Sequence, residues 1–408
     1  MRRPVSSLNF SNRGLESSSG AREPEYSLVL PLKPLRIGFV SPFSPLKGGI
    51  ARFSGLLREA LQAQGYEVIS LPFRKLYPDF VTNGATEGHS LALDGSLVLF
   101  NPLSWPSAIR SLMARKPDII LISYWTALLA PFCWLLRRLA GVRVVVLLHN
   151  FSSHDPLFFE PLMQRLLASS ADAFLTLSGV VSQELSAAIP QSRSMQLFHP
   201  VYDPEPDAKA LSRAEARRAL DLNAGAPVLL FYGYVRRYKG LDLLLRAMPA
   251  ILLRESSLKL LIAGEFHEDP EGYRRMIKQL GIQGSVDLRP GYLSGEQSAL
   301  LFAAADAVVL PYRSATQSGV VQLAYGYGVP VIVTPVGALP EGVLHGRTGW
   351  VAPDVSREGI AAAAAEFLES RGRLSETVSA IAEFRRDSSW EAFASRAGGF
   401  LETEAARK

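Results

Sequence analysis

Cations, hydroxyls and glycines in this chain gather where apolar runs end. In "FYGYVRRYKGLDLLLRAM" Arg236, Arg237 and Lys239 lie between such a run and a helix-like stretch, just before Gly240. Cations beside the free amides of a helix start suit a diphosphate, and Lys239 is the strongest candidate. In "PYRSATQSGVVQLAYGYGVPVIVT" (311–334) a polar loop ends at Ser318 and Gly319 before another helix-like stretch. Ser318 can cap that helix while the Gly319 and Val320 amides point outward, a seat for an anion that needs no metal. Two adjacent glycines in "SPFSPLKGGIARF", Gly48 and Gly49, would let a ligand approach the backbone closely.

Titratable and amide side chains end other runs. His149 closes "VRVVVLLH", followed by Asn150 and, five residues after His149, by His154. A histidine at a strand end can donate a hydrogen bond to a substrate hydroxyl or move a proton; a satisfied loop histidine is the plainer alternative. Glu265 in "IAGEFHED" and Glu341 in "VGALPEGVLHGRTGW" could accept hydrogen bonds from sugar or ribose hydroxyls, or cap a helix start. The chain has no Asp-x-Asp pair, and its histidines are too scattered for a metal-ligand cluster.

The elements that must position these residues alternate between strand and helix. The first half reads as strands at "LRIGFVSPF", "YEVISLPF", "DIILISY", "VRVVVLLH" and "DAFLTLS", with a helix from Ile50 to about Gln64. In that helix Ile50, Phe53, Leu56, Leu57 and Leu61 share one face. "FHPVYDPEPD" (198–207), with three prolines, reads as a linker. The series restarts with "PVLLFYG", "LKLLIAG", "SVDLRPG", "DAVVLPY" and "VPVIVT". The pattern predicts an α/β chain of two Rossmann-like, doubly wound parallel-sheet domains facing a cleft, with ligands at the strands' carboxyl ends. The expected divisions are a disordered tail at 1–33, domains at 34–200 and 201–385, and a terminal helix at 386–408.

Composition narrows the partners. The 408 residues suit two domains, and a 48% hydrophobic content suits substantial cores. Cys133 is the only cysteine, which excludes an intrachain disulfide and fits a reducing, cytoplasmic compartment. Residues 1–200 hold nineteen Lys and Arg against thirteen acids, whereas the remainder is nearly balanced. A basic first half favours anionic partners, including a peripheral contact at the inner face of a membrane. The run "DIILISYWTALLAPFCWLL" (118–136) is apolar enough to raise a membrane span, but Pro131 interrupts it and its start has strand character. It reads as a buried strand and a mostly buried helix, the alternative being a helix that leans on a membrane without crossing it. No basic–aromatic pattern points to nucleic acid.

Taken in order, these loops resemble the GT-B-fold glycosyltransferases of family 4, also called group 1. The likeness runs from about Arg36 to the C-terminal region and is strongest in "YGYVRRYKGLDLLLRAM", "LKLLIAGE…LSGEQSALLFAAADAVVLPY" and "GVPVIVTPVGALPEGVLHGRTGW". It implies retaining, metal-independent transfer of a hexose from a nucleotide-sugar donor to a lipid-linked or oligosaccharide acceptor in surface-polysaccharide or lipopolysaccharide assembly. No cofactor is implied. Lys239 matches the phosphate-binding lysine, and Ser318, Gly319 and Val320 match the helix start that meets the diphosphate. His149 matches a position near the donor sugar. The family's usual arginine falls on Tyr234, which makes Arg236 the substitute.

One departure stands out. The resemblance places the family's two paired glutamates at Ala315 and Leu323, so neither carboxylate exists. Each lost charge-assisted hydrogen bond is worth about 1.5–3 kcal/mol, and Gln317 or Gln322 could replace one through neutral bonds. Two other readings follow: a non-catalytic nucleotide-sugar-binding partner of an active transferase, and a GT-B nucleotide-sugar epimerase. The retained phosphate elements favour an active, divergent transferase.

Overall fold

Runs such as "IILISY" and "RVVVLL" carry no polar alternation, the mark of parallel strands covered on both faces. The computed structural model describes residues 33–46, 48–75, 97–152, 158–204 and 211–407. Residues 1–32 of the tail expected at 1–33, His154 and the end of the linker fall outside these residues. The first sheet comprises β1 (Arg36–Ser41), β2 (Glu67–Lys75), β3 (Leu97–Val98), β4 (Ile119–Tyr124), β5 (Arg143–Leu148), β6 (Ala173–Thr176) and β7 (Ser194–Gln196). Its order is β3-β2-β1-β4-β5-β6-β7, parallel throughout. The second comprises β8 (Val228–Tyr232), β9 (Lys259–Gly264), β10 (Val286–Pro290), β11 (Ala307–Leu310), β12 (Val331–Val333) and β13 (Gly349–Val351). Its order is β10-β9-β8-β11-β12-β13, again parallel. The expected two-lobed α/β architecture is therefore present.

Strand order selects the ligand edge. Each order reverses beside its first strand, between β1 and β4 and between β8 and β11, and loops leaving such strands flank a crevice. In the second lobe those are the loops that carry Lys239 and Ser318; in the first, the loop after β1 carries Gly48 and Gly49.

The helices are α1 (Gly49–Ala63), α2 (Trp105–Ala114), α3 (Ala130–Ala140), α4 (Glu160–Ala168), α5 (Gly179–Ala188), α6 (Arg213–Ala219) and α7 (Leu241–Arg254). They continue as α8 (Pro270–Gln279), α9 (Gly295–Ala304), α10 (Gly319–Gly326), α11 (Arg357–Glu369), α12 (Leu374–Asp387) and α13 (Trp390–Ala405). In the first lobe α2 to α5 cover one sheet face, while α1 and α13 cover the other. The terminal helix α13 thus returns to the first lobe. Its fully buried Glu404 accepts hydrogen bonds from Arg143 at 2.7 Å and Arg193 at 3.2 Å. Gly398 makes the return possible, because a Cβ there would sit 2.5 Å from the Tyr66 ring.

Two sequence features are refined. The run 118–136 divides into β4 and α3, and no described helix is long and apolar enough to cross a membrane. The expected linker is no loose tether: Val201 and Tyr202 are buried, and α10 reaches them through Gly326, where a Cβ would stand 1.8 Å from the Tyr202 carbonyl oxygen.

Candidate active site

The second lobe supplies a buried cation. After β8 the backbone turns at Gly233, φ +99°, and a short 3₁₀ turn, Arg237–Lys239, brings Lys239 back under the strand end. Lys239 is only 7% exposed, and its ammonium has no hydrogen bond or ion pair among the described residues. Its Nζ lies 5.4 Å from the centroid of the Tyr312 ring, a cation–π contact that partly offsets the lost hydration. Burial, with a further contribution from Arg236, pulls the ammonium's pKa below the ordinary lysine value. A bound anion would reverse that pull.

Gly233 is where the cradle closes. A Cβ there would stand 3.6 Å from Lys239 Nζ and 3.7 Å from Val320 Cγ2. The lysine and the start of α10 therefore converge on one backbone position that carries no side chain. The turn is fixed from two sides. Gly240, at φ +67°, lies so close to the Pro311 carbonyl that a Cβ would come within 2.0 Å of its oxygen. Arg313 forks onto Asp242 with two 2.7 Å bonds and also donates to the Arg237 carbonyl at 3.0 Å. Sequence reasoning missed Gly233, Tyr312 and the Arg313–Asp242 fork; the glycine directly after a strand was the one available signal.

At α10 the expectation needs a correction. Ser318 caps the helix, but its hydroxyl accepts from the Val320 amide at 3.3 Å. In this first turn the Val320 amide is thereby taken and the Val321 amide donates to the Ser318 carbonyl, whereas the Gly319 amide has no partner among the described residues. No acid occupies that turn, so the helix dipole is uncompensated there. Arg236 is exposed, and the Glu265 carboxylate is half-buried; neither side chain holds a hydrogen bond or ion pair among the described residues. Burial first and Glu265 second push the nearby Tyr234 phenol upward, placing that carboxylate beside Tyr234.

The first lobe contributes amides and a neutral imidazole. Gly48 and Gly49 are open, with nothing within 4 Å of a Cβ at either, and α1 begins without a side-chain cap or an acidic residue. His149 follows β5 and packs edge-on to Phe53, 4.8 Å between centroids. It is 5% exposed, and its Nε2 finds no partner. Burial, then the neighbouring His199, drives it from 6.5 down to about 3. The proton-transfer role considered for His149 is therefore disfavoured near neutral pH, whereas hydrogen bonding through a neutral ring is retained.

Several predicted residues act between the lobes. Thr316 donates to the Asn150 side-chain oxygen at 2.6 Å, and Gln317 Nε2 donates to the His149 carbonyl at 2.8 Å. Gln317 Oε1 stays buried without a partner, as does Gln322 Oε1. Ala315 is buried and Leu323 packs against the second-lobe core, so apolar contacts fill the positions that lack carboxylates. Glu341 does not hold a free carboxylate toward a sugar: it accepts from the Gly179 amide at 2.8 Å and the Val180 amide at 3.2 Å. The helix-capping alternative is what the structure contains, across the crevice onto α5. The clasp is charge-assisted but solvent-facing, so Glu341→Ala should cost on the order of 1 kcal/mol. Its radius of gyration by small-angle scattering should exceed that of the wild type, and an unchanged radius would remove the clasp role. Among the described residues, no three His, Cys, Asp or Glu side chains are grouped to hold a metal ion.

Comparison with known proteins places these loops among relatives. A family model for "Glycosyl transferases group 1" matches residues 226–370, and one for a "Glycosyl transferase 4-like domain" matches residues 48–199. The D-inositol 3-phosphate glycosyltransferase of Segniliparus rotundus is 29% identical over 301 residues, covering 69% of this chain and 65% of that protein. The protein of the same description from Streptomyces scabiei is 34% identical over 163 residues, 38% of this chain and 36% of the relative. The chain thus spans less than two thirds of the length of these two relatives. Anabaena HepE in complex with UDP superposes with a TM-score of 0.67 at 17% identity, covering 90% of this chain and 100% of that one. That likeness identifies the two-lobed architecture as the GT-B fold.

Proposed function

The chain belongs to the group 1 glycosyltransferases, and on that premise we propose that it moves a hexose from a nucleotide-sugar donor to a lipid-linked or oligosaccharide acceptor in surface-polysaccharide assembly. Transfer proceeds with retention at the anomeric carbon and without a metal ion. The observation that carries this reading is the convergence of Lys239 Nζ and the start of α10 on Gly233, at the point where the second sheet reverses its order. As the bond from the anomeric carbon to the diphosphate breaks, negative charge gathers on the leaving oxygens. The Lys239 ammonium and the Gly319 amide meet that charge inside the cradle, and Arg236 meets it at the rim. Both protein groups are in place beforehand, so little reorganisation accompanies the charge build-up.

The acceptor enters across the first lobe, past Gly48, Gly49 and His149. The neutral His149 ring orients a hydroxyl by hydrogen bonding, and the contacts of Thr316, Gln317 and Glu341 hold the lobes together so that water is kept from the donor. Gln317 Oε1 and Gln322 Oε1, both lacking partners, are the acceptors offered to donor hydroxyls in place of the absent carboxylates. HepE, seen with UDP, supports a nucleotide donor here.

A second reading, a non-catalytic partner that binds a nucleotide sugar, is favoured by one observation. Ala315 and Leu323 are apolar and packed, so these two positions offer the sugar no carboxylate. Incubation with labelled UDP- and GDP-hexoses and an extract containing lipid-linked and oligosaccharide acceptors separates the two. Transfer of label with release of the nucleoside diphosphate is expected. Calorimetric binding with no transfer from any donor would leave the partner reading, and no binding of any donor would remove both.

A further inference from the structure

Two stretches far apart in the chain, "GGIARF" at the start of α1 and "FHPVYDPEPD" between the lobes, meet beside α10 at Tyr202. That residue is buried, and its ring is held from the first-lobe side. His199 packs edge-on to it at 5.4 Å between centroids, and Trp390 of α13 tilts against it at 5.9 Å. The Arg52 guanidinium lies over the ring, 5.0 Å from its centroid, a cation–π contact. Arg52 also donates to the Asp203 carbonyl at 3.3 Å, so one side chain of α1 grips both the ring and the backbone that follows it. The Asp203 carboxylate is tied in turn to Arg385 of α12 at 2.9 Å.

From the other side α10 leans on the same residue at both ends. Near its C-terminus Gly326 comes so close to the Tyr202 carbonyl that no side chain fits between them. At its N-terminus a Cβ on Gly319 would stand 3.5 Å from Tyr202 Cε2, which is ordinary contact. The ring edge therefore flanks the residue whose amide is left over for an anion. The body of α10 packs in the second-lobe core through Val321, Ala324 and Tyr325, but Gly319 is exposed and has no side chain to anchor it. The two halves of the cradle are thus built differently. Lys239 is fixed within the second lobe, by the Gly240–Pro311 approach and the Arg313–Asp242 fork. The Gly319 amide is set against a ring that the first lobe holds.

We propose that Tyr202 is a positioning residue for the leaving diphosphate, aiming the Gly319 amide at its terminal phosphate, and that Arg52 acts through the Tyr202 ring rather than on the phosphate itself. The inference deepens the phosphate reading of the cradle and rests on it. A misplacement of about 1 Å is enough to cost a group that meets developing charge much of its effect. Leucine at position 202 would leave the amide without a flat wall and Arg52 without a face to lie on. Phenylalanine would keep both.

Calorimetry on the full chain compares UDP with UMP and GDP with GMP, so neither a donor sugar nor an acceptor is needed. The ratio of diphosphate to monophosphate affinity isolates the terminal phosphate, and a residue that only packs does not move it. Tyr202→Leu should lower the ratio on the order of tenfold, and Arg52→Met about threefold. Tyr202→Phe should keep the wild-type ratio, and adding Arg52→Met to Tyr202→Leu should cost nothing further. Arg52 is only half-buried on a helix surface, so its variant reports even where Tyr202→Leu does not fold. A ratio that Lys239→Met lowers but Arg52→Met and Tyr202→Leu leave unchanged would overturn this proposal alone. Additive losses in the double variant would put Arg52 on the phosphate, and would overturn it too. A ratio unmoved by Lys239→Met, or no binding of either diphosphate, would remove the phosphate reading and this proposal with it.

Discussion

Lys239→Met lowers turnover of a nucleotide-sugar donor by about 10²–10³-fold, the range seen when one preorganised donor to a developing anion is removed, while the melting temperature holds or rises. The two halves of this expectation come from one fact. An ammonium that is 7% exposed and without an anionic partner is a cost to the folded chain, offset only in part by the Tyr312 ring. Methionine keeps the length and apolar stem and removes that cost. A lysine retained for packing would show the opposite signs, a lower melting temperature and little kinetic loss. Donor turnover measured as nucleoside diphosphate release, beside thermal unfolding of the same preparation, reads both. Near-wild-type release from Lys239→Met would withdraw the phosphate role. Lys239→Arg should not restore activity, because the broader guanidinium must fit between Gly233 and the Tyr312 ring.

Lys239 and Ser318 were legible in the sequence because the rules that locate them are local. Parallel strands covered on both faces appear as short apolar runs, and a loop that leaves such a run toward a helix is where ligands meet an α/β sheet. Strands β3, β7 and β13, of two or three residues each, were not read from the sequence. The clasp of Glu341 on α5 was illegible as a contact because it joins residues 162 apart, and nothing near either end encodes the other. The return of α13 to the first lobe shares that cause, since Glu404 meets Arg143 over 261 residues. Val320 shows a subtler limit. The sequence gives Ser318 as a cap, but which amide the hydroxyl takes depends on a rotamer that only the folded loop selects.

Lowering the pH from about 6.5 toward 4 should destabilise the chain through His149 and His199, beyond the ordinary protonation of carboxylates. Burial holds His149 at about 3 and His199 at about 4, against 6.5 for an unhindered histidine. Both are neutral in the folded chain across this window, whereas the unfolded chain takes up a proton on each as the pH passes below 6.5. The unfolded state then binds more protons, so stability is complete above 6.5, falls as the pH drops, and levels off only near 3 to 4, where the folded rings protonate too. Each unit of difference is worth about 1.4 kcal/mol, so His149 alone accounts for a few kcal/mol by pH 4; His199, only half-buried, adds less. Both rings pack on Phe53 of α1, with His199 also against Tyr202 of the interlobe segment. Melting temperatures of wild type and His149→Gln between pH 4 and 7 isolate the effect, because carboxylates titrate equally in both. The variant should start lower at pH 7, having lost the edge-on packing, and fall less steeply below 6.5. Parallel curves would show that His149 takes up no more protons on unfolding than a histidine already in water.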